Sequence, residues 1–96
     1  MVTWFVTRHP GAVEWAKRQG LEVDKQTAHL DTAEIGAGDQ VIGSLPVHLA
    51  AEVCASGARY LHLQIELPAE LRGIELTAEQ MEQCGAELKP YRVVEE

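Results

Sequence analysis

The chain is poor in three things, and each shortage closes off a class of function. Cysteine occurs only at Cys54 and Cys84, too far apart for a CxxC pair and too few for a disulfide framework. Both fall in expected helices and read as reduced core residues. His29, His48 and His62 are spread over two expected strands and a helix, with no His or Cys pair at ligand spacing, so neither a zinc site nor a cofactor is expected. Basic charge is scarce: 8 Lys and Arg stand against 15 Asp and Glu, for a formal charge of -7. Duplex binding needs an excess of phosphate-neutralising side chains, so the balance argues against that partner while leaving room for a small anion held by two or three local cations. Long apolar runs are missing too. No stretch approaches the roughly 20 apolar residues of a membrane span, so no membrane partner is expected. No basic segment followed by an apolar run opens the chain, which makes a cytoplasmic location the expectation.

What is present suits one α/β domain over residues 1–96, with 46% of residues hydrophobic to build a core, yet small enough for self-association to complete it. Val2 to Val6 (Val-Thr-Trp-Phe-Val) is a strong β run with bulky residues on both faces, as a central strand covered on both sides requires. A helix from Gly11 to Gln19 follows, with Ala12, Val13, Trp15 and Ala16 at helical spacing and Gly20 at the capping position. A weaker strand is expected over Leu21–Leu30, a loop over Thr32–Asp39, and a short strand over Gln40–Gly43. Pro46 fits the first turn of a helix running to about Ser56. Arg59–Leu67 alternates, with Leu61, Leu63, Ile65 and Leu67 on a buried face and Tyr60, His62, Gln64 and Glu66 opposite. Thr77 with Gln80 forms a capping box, and Leu76 with Met81 a hydrophobic staple, for a short helix ending near Gly85. Leu88–Val94 closes the chain as a strand in which Pro90 marks an edge. The order β-α-β-β-α-β-α-β predicts a Rossmann-like sandwich with a mostly parallel sheet of about five strands and three helices.

The candidate site is the turn that ends the first strand, Thr7-Arg8-His9-Pro10-Gly11. Open α/β sheets bind ligands at the carboxyl ends of their strands, and a helix start beside an arginine and a histidine suits a phosphate. The plainer alternative is a surface arginine next to a histidine that caps the helix. Pro10 and Gly11 favour the site, because they fix a tight turn with backbone donors available. Ser44-Leu45-Pro46 is a second strand-to-helix turn expected on the same edge, where the Ser44 hydroxyl either caps the helix or binds phosphate. Arg72, next to Gly73, is either a phosphate clamp from a loop or half of a surface ion pair. Asp31, at the end of an expected strand, suits the orienting of a base or hydroxyl. Trp4 and Trp15 read as core, and Tyr60 as a possible contact for a nucleobase. The Arg-His pair after a strand also resembles the Arg-His-Gly start of histidine phosphatases, but Pro10 replaces that glycine and the chain is short for that fold.

The runs Trp4–Ala12 (with Trp15), His29-Leu30, Gly38–Pro46, Gly57–Tyr60 and Arg72–Leu76 together resemble the small CRISPR-associated Csx family number sixteen. The resemblance implies a fold like the CARF sensor domains and a homodimer binding cyclic tetra-adenylate across its two-fold axis. It implies the activity of a ring nuclease, cutting that second messenger without a metal to linear products ending in a 2',3'-cyclic phosphate. For such an activity the residues themselves, rather than the resemblance, make Arg8, His9 and Ser44 the expected catalytic residues, with His9 as acid or base and Thr7, Pro10, Gly11, Asp31, Leu45, Pro46, Arg72 and Gly73 binding the ligand. A module that binds the same messenger without cutting it is the alternative.

Overall fold

The computed structural model describes all 96 residues. Strand β1 (Thr3–Val6) is an interior strand of a five-stranded sheet, followed by α1 (Pro10–Arg18), β2 (Lys25–Thr27), β3 (Gln40–Gly43), α2 (Val47–Ala55), β4 (Arg59–Gln64), α3 (Ala78–Gln83) and β5 (Glu87–Tyr91). The strand order is β2-β1-β3-β4-β5. All pairings are parallel except that of β5, which runs antiparallel along β4 as an edge strand. The expected α/β sandwich is the observed one.

The two faces of β1 explain why it is an interior strand, between β2 and β3. Trp4 packs with Val41, Ala50, Val53 and Tyr60 beneath α2, while the next residue, Phe5, packs with Ala12, Trp15, Ile42 and Met81 beneath α1 and α3. Neighbouring residues of a strand point to opposite faces, so one short apolar run binds both helical layers. Phe5, Val41, Ile42 and Val53 are less than 2% exposed, and each such burial contributes roughly 1.5–3 kcal/mol.

Several boundaries differ from the sequence expectation. Strand β2 is only three residues long, because Leu21 and Val23 turn in toward the Phe5 cluster and sheet bonding begins with Asp24 N–H donating to the Thr3 carbonyl. Helix α1 starts at Pro10, and Pro46 sits just before α2 as its cap residue, its carbonyl accepting from the Leu49 and Ala50 N–H groups. Strand β4 ends at Gln64 because the β5 ladder stops there, at the Gln64–Glu87 pair. Ile65 and Leu67 are thereby released from the sheet to line a cleft. The loop expected at 32–39 carries a 3-10 turn at Thr32–Glu34. The capping box on α3 is present in full, with Thr77 and Gln80 each accepting from the other's backbone N–H.

Candidate functional site

After β1 the chain crosses by α1 to β2 on one side, and after β3 it crosses by α2 to β4 on the other. The helices therefore diverge between β1 and β3, and a crevice opens at the carboxyl ends of those two strands, the usual ligand position in such sheets. Gly43 lets the strands close up there: a Cβ on it would meet the Val6 carbonyl oxygen at 2.9 Å. The crevice holds a cleft of about 650 Å³. Its rim carries Thr7, Arg8 and His9 after β1, Ala28, His29 and Leu30 after β2, and Ser44, Leu45 and Pro46 after β3. Below these, Leu63, Ile65, Leu67, Ile74, Leu76 and Met81 make an apolar floor.

His9 occupies the cap position of α1, but its ring makes no capping bond. Instead Nδ1 lies 2.8 Å from a carboxylate oxygen of Glu75. The first turn of α1 is closed by backbone alone, with the Ala12 and Val13 N–H groups donating to the His9 carbonyl at 3.1 and 3.3 Å. Thr7 Oγ accepts the His9 N–H at 3.1 Å, which leaves the Thr7 hydroxyl proton free for an anion. Arg8 is exposed and forms no ion pair. The capping account of His9 is thus replaced by a contact 66 residues away in sequence.

Ser44 does not cap α2 either. Its hydroxyl donates to the Leu63 carbonyl at 2.6 Å, tying the end of β3 to β4. The Val47 and His48 N–H groups at the start of α2 are left as donors near the rim, as helix starts require. The turn itself rests on Tyr60, whose hydroxyl accepts from the Leu45 N–H at 3.0 Å, donates to the Gly43 carbonyl at 3.1 Å and meets His62 Nδ1 at 2.6 Å. Tyr60 is 3% exposed. Burial, partly offset by the Leu45 N–H bond, pushes its phenol above the ordinary 10.0. The polar, outward face expected for Tyr60, and with it the lesser reading as a nucleobase contact, is therefore corrected: that face of β4 is covered by α2, and the ring is a buried prop beneath the Ser44–Pro46 turn.

Of the other expected site residues, Leu45 and Pro46 line the cleft, while Pro10 and Gly11 stand behind the rim. Gly11 is a packing residue, because a Cβ there would come within 1.8 Å of the Leu76 carbonyl oxygen. Asp31 accepts from the Ala33 N–H and caps the 3-10 turn. Arg72 and Gly73 are exposed and outside the lining, and Arg72 forms no ion pair. Sequence reasoning missed Glu75 and the apolar floor. Ile74 is 51% exposed on that floor, and the signal of the floor that the sequence did carry was the alternation of Leu63, Ile65 and Leu67.

At the opposite edge of the sheet, Asp39 takes N–H bonds from Gly36, Val2 and Trp4 Nε1. The Gly36 and Val2 bonds, with help from Trp4, hold its carboxyl below the ordinary 3.8. This cluster fastens the start of β1 and takes no part in the cleft. Nowhere do three or more His, Cys, Asp or Glu side chains gather to hold a metal ion, and no helix is long and apolar enough to cross a membrane.

A protein-family model described as "Putative CRISPR-associated protein (Cas_VVA1548)" matches residues 4–94. No curated protein and no solved structure matches the chain.

Proposed function

The chain belongs to this family of CRISPR-associated proteins, and from that premise we propose that it is a metal-independent ring nuclease of the Csx group numbered sixteen, cleaving cyclic tetra-adenylate and so ending its signal. The observation that carries the reading is the cleft itself, with an unpaired arginine, a histidine and free hydroxyl and N–H donors set above an apolar floor. A nucleotide needs both halves: the floor takes adenine, and Arg8, the Thr7 hydroxyl and the start of α2 take phosphate. The 2'-oxygen attacks phosphorus, the bond to the 5'-oxygen breaks, and His9 carries the proton. Arg72 closes over the ligand from its loop. The products are linear adenylates with a 5'-hydroxyl and a 2',3'-cyclic phosphate.

A volume of about 650 Å³ falls within the roughly 300–1,000 Å³ of small-ligand pockets, enough for one side of a tetranucleotide ring. A single CARF-like domain acting as a cytoplasmic homodimer would present two such clefts to one ring and double the local positive charge. Incubation with cyclic tetra-adenylate in EDTA, with chromatography of the products, tests the reading. Linear cyclic-phosphate products from the wild type and none from Arg8→Ala are expected, and an intact ring with the wild type would refute it. One observation favours the non-catalytic alternative, a binding module for the same messenger: the Ser44 proton is already given to Leu63, so Ser44 donates to phosphate only by breaking that bond. Under that alternative the intact ring co-elutes with the protein.

A further inference from the structure

An exposed histidine is ordinarily free to carry its single neutral-state hydrogen on either ring nitrogen, and only one arrangement makes it a base at a given atom. We propose that Glu75 is the positioning residue for His9, holding the ring with its hydrogen on Nδ1 and leaving Nε2 as the base that takes the 2'-hydroxyl proton. The inference rests on the ring nuclease reading of the cleft and deepens it. An ionised carboxylate can only accept, so the 2.8 Å contact places the hydrogen on Nδ1. Nε2 is then the free nitrogen of a residue that lines the cleft, while Glu75 itself does not line it and acts through His9.

Both partners are anchored by backbone close to the contact. His9 is fixed by Thr7 Oγ on its N–H and by Ala12 and Val13 on its carbonyl. Glu75 precedes Leu76, whose carbonyl is packed against Gly11, and Thr77, which is locked by the capping box of α3. The pair is not explained as glue, because its side chains are 56% and 65% exposed, where an ion pair adds little to stability. In the reaction the O2'–P bond forms as Nε2 takes the 2'-proton, the P–O5' bond breaks, and the 5'-oxygen takes a proton from water.

The test is a long-range proton–nitrogen NMR correlation of the His9 ring at about pH 8.5, above the range in which histidines ionise. It is run on wild type, Glu75→Ala and Glu75→Gln, beside turnover of cyclic tetra-adenylate. We expect the Nδ1–H form in the wild type and a change toward Nε2–H in Glu75→Ala. Glu75→Gln, whose amide oxygen still accepts, keeps the wild-type form. The kcat of Glu75→Ala falls roughly 10- to 100-fold, less than the roughly 100- to 10,000-fold a general base itself supplies. KM stays within about twofold, and Glu75→Gln recovers most of the loss. A wild-type ring in the Nε2–H form, a spectrum unmoved by Glu75→Ala, or a raised KM at unchanged kcat would overturn the assignment. Should the wild type leave the cyclic substrate intact, the nuclease reading falls by itself, and the spectra alone then uphold or overturn the hold of Glu75 on His9.

Discussion

Replacing Gly11 by alanine perturbs the closest backbone approach behind the cleft, and the structure sets its size. An ideal Cβ at residue 11 lies 1.8 Å from the Leu76 carbonyl oxygen and 2.9 Å from its carbon. Ordinary contact begins at 3.4 Å, so either the carbonyl or the first turn of α1 must retreat by about 1.6 Å. No flexible side chain is available to give way, since both atoms are backbone. Overpacking costs about 1–3 kcal/mol, and a rigid neighbour puts this site in the upper part of that range. Alanine's better helix propensity offsets roughly 0.5–1 kcal/mol. The net loss of about 2 kcal/mol corresponds to a fall in Tm of roughly 8–16 °C for a domain of this size, read by circular dichroism. Gly36→Ala is the control. Its nearest new contact is Asp39 Oδ2 at 3.6 Å, so its stability changes by no more than about 0.5 kcal/mol. Gly11→Ala also moves Leu76, and with it Glu75, away from His9, so the NMR signature of the His9 ring shifts toward that of Glu75→Ala. A Gly11→Ala protein melting together with the Gly36→Ala control would refute the packing argument.

Tyr60→Phe leaves the Leu45 N–H and Gly43 carbonyl without their partner, at a cost of about 1–3 kcal/mol, measurable as a lower urea midpoint. Because burial raises the Tyr60 phenol above 10.0 in the folded state, its contribution is whole below that pH and is lost as pH rises through the folded value. The alkaline arm of the wild-type stability curve should therefore flatten in Tyr60→Phe, and an unchanged arm would show that another group controls it. Asp39 has the opposite sign: its lowered pKa gives stability present above 3.8 and lost as pH falls through the folded value. Asp39→Asn should melt lower at neutral pH and lose that acid dependence, which an acid titration followed by tryptophan fluorescence checks. Ser44→Ala removes the bond to the Leu63 carbonyl and costs about 1 kcal/mol. Turnover within about twofold of wild type would assign Ser44 to structure, whereas a loss near tenfold, about 1.4 kcal/mol in the barrier, would assign it to the substrate.

The parts of this molecule that local chemistry dictates could be read from its residues, and the parts set by distant contacts could not. Trp4 and Phe5 side by side announced a strand buried on both faces, and they fill the two clusters on either side of the sheet. Thr77 and Gln80 announced a capping box three residues apart, and it is there. The two strand-to-helix turns were placed on one edge because parallel crossovers demand it, and the cleft lies between them. Tyr60 was misplaced by alternation, because period two tells which residues share a face but not which face a helix will cover. Ser44 looked like a cap because capping is local, yet its hydroxyl found a carbonyl 19 residues away.

The same division explains why the histidine stands out in the sequence and its partner does not. His9 is marked by its neighbours, a strand before it and a proline and glycine after it. Glu75 has no such marks; it is one of fifteen acids in a loop without a regular period. What brings it to His9 is the absence of a side chain at Gly11, which admits the Leu76 backbone and so carries the preceding residue to the end of β1. A glycine at the second position of a helix offers no local advantage over alanine, and a reading of the sequence assigns it to the turn. Only the packed structure reveals that it holds open the space through which the site is assembled. Substitutions at Gly11 and at Glu75 should therefore converge on one defect, an imidazole free to present the wrong nitrogen, although the two residues share neither chemistry nor a place in the chain.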